Sequence, residues 1–142
     1  MTRKVWTFWY GSYMNPAVLA EVNLHPDSFG VARLDGFDIR IEPLANLVRS
    51  DGSAVYGVLA PATHEELDRL YAHARNVLGA VYLPEAVFVQ TRDLTWRPAL
   101  CYIASEMEAR PAERAYVERI LRPARELGFP SWYVKKLEGF LP

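Results

Sequence analysis

The sequence predicts a mixed α+β fold, and three observations lead there. Short runs rich in β-branched and aromatic residues recur through the first two-thirds of the chain. These runs come as hairpin-like pairs and do not alternate regularly with helices, which argues against a doubly wound sheet. The last third carries apolar residues at helical spacing. At 142 residues the chain is expected to form one domain spanning 1–142 and to bury a core without disulfide staples.

The elements follow in order. Val5 to Tyr10 reads as a buried strand. Asn15 caps a short helix with Pro16 at its first position and Ala17 to Val22 behind it. After the loop NLHPDSFG an extended run begins at Val31. In it Phe37, Ile39 and Ile41 alternate with Asp38, Arg40 and Glu42, and Pro43 ends it. ANLVRSDGSAVYGVLA reads as a hairpin turning at Asp51-Gly52, with Gly57 marking a bulge or a close backbone approach. Thr63 and Glu66 fit a capping box for a helix carrying Leu67, Leu70, Tyr71, Ala74, Val77 and Leu78, closed by Gly79.

A second hairpin joins VYLPEAVFVQT to RPALCYIAS through Arg92-Asp93, with Pro84 and Pro98 at edge or bulge positions. Pro111 opens a helix whose apolar face holds Tyr116, Val117, Ile120, Leu121, Ala124 and Leu127. Pro123 should kink it and Gly128 stops it. Ser131 caps a final short helix, WYVKKLEGF.

Composition narrows the function. A net charge of −1 leaves no basic footprint for nucleic acid. The single cysteine, Cys101, supports neither an internal disulfide nor a cysteine metal site, and its strand context reads as a core thiol. Arg3-Lys4 is not followed by an apolar stretch of signal-peptide length, and no run approaches the roughly 18 residues of a membrane span. A reducing, cytoplasmic setting without a membrane partner is expected. Phosphate-loop, paired-cysteine and zinc-helix patterns are missing, and His25, His64 and His73 read as surface residues.

The opening segment, VWTFWYGSYMNP, is where chemistry concentrates. A strand stops at Gly11-Ser12 just before a helix. Gly11 has no Cβ, so a ligand can approach its backbone; Ser12 brings a hydroxyl; the following N–H groups enter a helix N-terminus. Such a turn suits a carboxylate or a developing oxyanion. Its bland alternative is a plain strand-to-helix turn.

WYGSYMNP resembles the Tyr-Gly-Ser-Asn-Met/Leu signature of the γ-glutamylcyclotransferase-like family. Two later segments are similar to that family in the same order. ANLVRSDGSAVYGVLAPATHEELDRLY matches its strands and Leu-Asp helix, and YVERILRPARELGFPSWYVKKLEGFLP its C-terminal stretch. The resemblance implies a small mixed β-barrel flanked by helices, with a pocket at its mouth. It implies attack by the α-amino group of a γ-glutamyl unit on its own γ-carbonyl, releasing 5-oxoproline and an amine or amino acid without metal or organic cofactor. By the match, Tyr10, Gly11, Ser12, Tyr13 and Met14 are substrate-binding residues, and Tyr133 is a candidate lining side chain.

Two departures stand out. The Asn after Gly-Ser is Tyr13 here. Where the family places its catalytic Glu, LDRLYAHAR offers Tyr71, which fits a pocket wall or the core. The attacking amine is mostly protonated near neutral pH and needs a base, a role worth ~10²–10⁴ in rate. Glu85 is the first substitute, Glu42 the second, and His73 a third on another helix face. The expected partner is a γ-glutamyl small molecule. The alternative is a silent binding module that kept the pocket and lost the base; a pocket lined only by Tyr13, Tyr71 and apolar groups would favour it.

Overall fold

The structure, a computed structural model, describes residues 3–142. Its strands are β1 (Lys4–Trp9), β2 (Gly30–Ile41), β3 (Ala45–Thr63), β4 (Leu83–Thr91) and β5 (Trp96–Ile103). Its helices are α1 (Pro16–Ala20), α2 (His64–His73), α3 (Arg114–Glu126) and α4 (Ser131–Glu138). The strands close into a barrel of order β1-β3-β2-β4-β5. All neighbouring pairs are antiparallel except β1 with β5. The α+β fold and small barrel expected from the sequence are therefore present, with a core that includes Phe8, Leu34, Ile39, Val89 and Cys101. No helix among the described residues is long and apolar enough to cross a membrane.

The first expected hairpin is corrected. Residues 45–63 form one continuous strand, and the chain reversal lies earlier, between β2 and β3. The registers Asp35↔Ala54 and Phe37↔Arg49 leave one residue of β2 facing four of β3. Asp51-Gly52 turns locally inside that bulge, where Gly52 (φ 80°) faces the stretch of β2 holding Gly36 (φ 86°), and the strand then resumes its direction. A turn dipeptide thus marks a bulge when a partner strand carries the register past it.

Gly57 is a close approach, as expected. A Cβ there would collide with the Trp9 carbonyl oxygen and stand 2.7 Å from Phe8 Cζ. The second hairpin forms around Arg92-Asp93. Pro84 and Pro98 lie in the β4–β5 ladder away from the short β2–β4 and β1–β5 pairings, so their missing N–H groups break no second ladder.

Asn15 caps α1, its Oδ1 accepting from the Ala17 N–H at 3.0 Å. The capping box of α2 is complete: Thr63 Oγ1 accepts from the Glu66 N–H at 3.0 Å, and Glu66 Oε1 accepts from the Thr63 N–H at 2.8 Å. Thr63→Ala should lower stability by about 1 kcal/mol, read from the urea midpoint at unchanged slope. After His73 the helix widens into a π turn, Ala74–Leu78, which Gly79 ends at φ 79°. Two starts differ from expectation. α3 begins at Arg114, after residues 111–113 that are not helical, and Ser131 is the first helical residue of α4 after Pro130.

Candidate functional site

The turn after β1 is held from several sides. Residues Ser12–Met14 make one 3₁₀ turn that packs on α3. Asn15 Nδ2 donates to the Arg119 carbonyl at 3.2 Å, and Arg119 pairs with Glu21 at 2.7 Å. The N–H groups of Gly11, Ser12 and Tyr13 meet no acceptor among the described residues. Helix α1 has only five residues, so these three amides, and not a helix dipole, are what the turn offers.

Beside the turn lies a cavity walled by Trp9, Tyr10, Gly11, Ser12, Tyr13, Ala45, Tyr71, Leu78, Tyr82, Tyr102 and Tyr116. It measures about 370 Å³ out to its mouth but is narrow, since the centre of a water molecule can move through only about 30 Å³ of it. Tyr71 stacks on Tyr102 with ring centroids 3.7 Å apart and planes 10° apart. Tyr13 meets Tyr71 edge-on at 5.7 Å.

Four of the phenols are committed to the backbone. Tyr10 donates to the Tyr102 carbonyl at 2.7 Å, and Tyr13 to the Leu70 carbonyl at 3.4 Å. Tyr82 donates to the Ala45 carbonyl at 2.5 Å, and the Tyr116 oxygen accepts from the Ala45 N–H at 2.9 Å. Ala45 opens β3 where no strand covers its second edge, so two tyrosines complete its backbone pairing. Asn46 does the same next door, donating to the Ala104 carbonyl at 2.9 Å and accepting its N–H at 3.0 Å.

Burial pushes the phenols of Tyr10, Tyr13, Tyr71, Tyr82 and Tyr116 above their ordinary range. All five are neutral near pH 7, and none is a base there. The cavity therefore presents amide and hydroxyl donors on an aromatic wall. The Trp9 indole N–H, buried in that wall, also lacks a partner. No carboxylate or histidine among the described residues lines it.

The structure sorts the sequence-derived residues. It brings Tyr10, Gly11, Ser12, Tyr13 and Tyr71 together. Met14 is fully buried in the core and does not line the cavity. Tyr133 is also corrected: its ring sits among Tyr56, Phe129 and Trp132, at centroid distances of 5.4 to 5.9 Å. Glu85 and Glu42 are not brought to the cavity either; both line a separate open cleft with Arg40, Asn46 and Arg49.

The reason is strand alternation. Glu85 is the direct ladder partner of Cys101, so it shares that residue's face, whereas the cavity residue Tyr102 faces the other way. Glu85 pairs with Arg49, which also lies over the Phe37 ring at 5.1 Å. His73 does not line the cavity. Cys101 is fully buried with its thiol pushed up by burial, consistent with a core role.

Sequence reasoning missed Trp9, Ala45, Leu78, Tyr82, Tyr102 and Tyr116 as site residues. Tyr116 reads as an apolar-face position of its helix, and nothing in its periodicity separates a cavity wall from a core. The available signal is composition: Tyr10, Tyr13, Tyr71, Tyr82, Tyr102 and Tyr116 are six of the eight tyrosines in the chain.

Comparison with known proteins agrees with this architecture. The profile of the AIG2-like family matches residues 54–137, from the second half of β3 through α4. The chain belongs to the AIG2-like family. Among solved structures, this AIG2-like chain is similar to an uncharacterised protein from Homo sapiens at 24% identity and a TM-score of 0.80, covering 95% of this chain and 86% of that one. It is similar to a γ-glutamyl cyclotransferase at 24% identity and a TM-score of 0.77, covering 96% and 87%. A glutathione-specific γ-glutamyl cyclotransferase from yeast shares 13% identity at a TM-score of 0.65, covering 96% and 95%. Likeness at these identities establishes a shared fold. A search of curated proteins by sequence finds no match.

Proposed function

We propose that this AIG2-like chain binds a compact, acceptor-bearing small molecule of the γ-glutamyl or 5-oxoproline class without cyclising it. The observation that carries the reading is the composition of the cavity: unengaged amides at Gly11, Ser12 and Tyr13, neutral phenols and apolar groups, with no lining carboxylate. Amide hydrogens at a turn suit a carboxylate, amide or lactam oxygen, and the aromatic wall suits the flat faces of such groups. The missing part is equally specific. Ring closure needs a free α-amine, and that amine is mostly protonated near neutral pH. Amide hydrogens and neutral phenols take no proton from an ammonium near pH 7.

The test is to incubate the protein with γ-glutamyl amino acids and amines, follow 5-oxoproline, and measure binding of 5-oxoproline and of the same compounds by calorimetry. Binding without turnover is expected. Gly11→Ala should weaken binding at least tenfold, because its Cβ would stand 2.7 Å from that of Ala45 in the turn itself.

The likeness to proteins named γ-glutamyl cyclotransferase favours a second reading, an enzyme of that type with a relocated acid. Turnover by the unaltered protein would overturn the first reading in favour of the second. Glu85→Gln should then lower the rate at least tenfold; an unchanged rate would exclude Glu85.

A further inference from the structure

The segment between α2 and β4 borders the cavity twice, at Leu78 and at Tyr82. It also displays apolar side chains that the fold leaves uncovered: Val77 is 65% exposed, Leu78 40%, Val81 54% and Leu83 57%. Scattered exposed apolar residues are ordinary on a protein surface. Four within seven positions, continuous with a cavity wall, are not scattered. The local backbone accounts for their display. The π turn at Ala74–Leu78 and the left-handed Gly79 swing the chain off the α2 axis, and only Ala74 and Ala80 are buried in the stretch 74–81.

We infer that this segment is an apolar rim that selects the outward-pointing part of the ligand, so that the preferred ligand carries an apolar or aromatic pendant group beyond its carbonyl end. The inference rests on the proposed binding reading, in which the amides of Gly11 to Tyr13 hold that carbonyl end. Val77 and Val81 are the exposed chain neighbours of the two lining residues Leu78 and Tyr82, and on this inference a group leaving the cavity past Leu78 lies against them. There it gains apolar burial without giving up a hydrogen bond. A charged pendant group loses water on the same surface and finds no ion pair on the four side chains of the rim.

The experiment is calorimetric titration of the unaltered protein with γ-glutamyl methylamide, γ-glutamyl benzylamide and γ-glutamyl glutamate. The benzylamide should bind at least tenfold more tightly than the methylamide, and the glutamate conjugate more weakly than either. In the Val77→Ser/Val81→Ser double variant, checked for folding by circular dichroism, the benzyl-to-methyl ratio should fall toward one. Both valines are already largely exposed, so the double change removes little packing, and the comparison on the unaltered protein stands without it.

Equal affinities for the benzylamide and methylamide, or preference for the glutamate conjugate, would overturn the rim while leaving the binding reading intact. Loss of binding by all three, and by 5-oxoproline, would overturn the binding reading and the rim with it. Equal affinities together with self-association that the double variant abolishes would assign the strip to a second copy of this chain, which also overturns the inference.

Discussion

Tyr71→Glu is expected to generate 5-oxoproline-forming activity, raising the rate by ~10²–10⁴ over the unaltered protein with γ-glutamyl substrates. The position is the one at which the family resemblance places an acid, and the structure puts its side chain in the cavity with the amides of the Gly11 turn. Two features favour the change. The Tyr71 hydroxyl has no hydrogen-bond partner among the described residues, so removing it strands no backbone group. Its ring rests on Tyr102 and faces Tyr13 and Tyr82, so a shorter carboxylate leaves space for a substrate.

The introduced carboxylate also meets the surroundings that push the phenols up, and desolvation would raise its pKa above the ordinary Glu value. The base is active when deprotonated, so the rate should climb with pH through that raised pKa and then level off. Tyr71→Gln, similar in size without the charge, should stay inactive. If Tyr71→Glu binds the substrates and still forms no product across this pH range, the missing acid is not what silences the cavity.

The second large effect is on the fold. Gly57→Ala should destabilise the protein by about 3 kcal/mol, measured as a shifted denaturant midpoint. Gly57 lies where β3 crosses β1, and an added methyl meets the Trp9 carbonyl oxygen and the edge of the Phe8 ring. Backbone does not step aside as a flexible side chain does, and Phe8 is fully buried. Because Trp9 also walls the cavity, the variant should lose ligand affinity together with stability.

Much of this architecture was legible in the sequence because it depends on local rules. Asn15-Pro16, Thr63 with Glu66, and Gly79 announce helix ends through hydrogen bonds and φ angles that span only a few residues. Gly57 was legible as a close approach, although the sequence does not name its neighbours. The Asp51-Gly52 reversal misled because the same dipeptide serves a hairpin or a bulge, and the pairing of Asp35 and Phe37 with distant residues decides between them. The opening turn and Tyr71 came together as expected. Glu85 did not, because a single step of strand register separates the face of Cys101 from that of Tyr102. Tyr82 and Tyr116 were invisible as a pair: they meet at the backbone of Ala45, 37 and 71 residues away.

That meeting limits how this domain can change. Phenols at 82 and 116 serve as mortar for the first residue of a strand, so mutating either unpicks the barrel in the act of altering the pocket. Positions 71 and 102 bear no such duty through their hydroxyls. Any lineage moving this scaffold between holding a molecule and transforming it has its cheapest path through those two sites, with the remaining tyrosines kept in place by the architecture they complete.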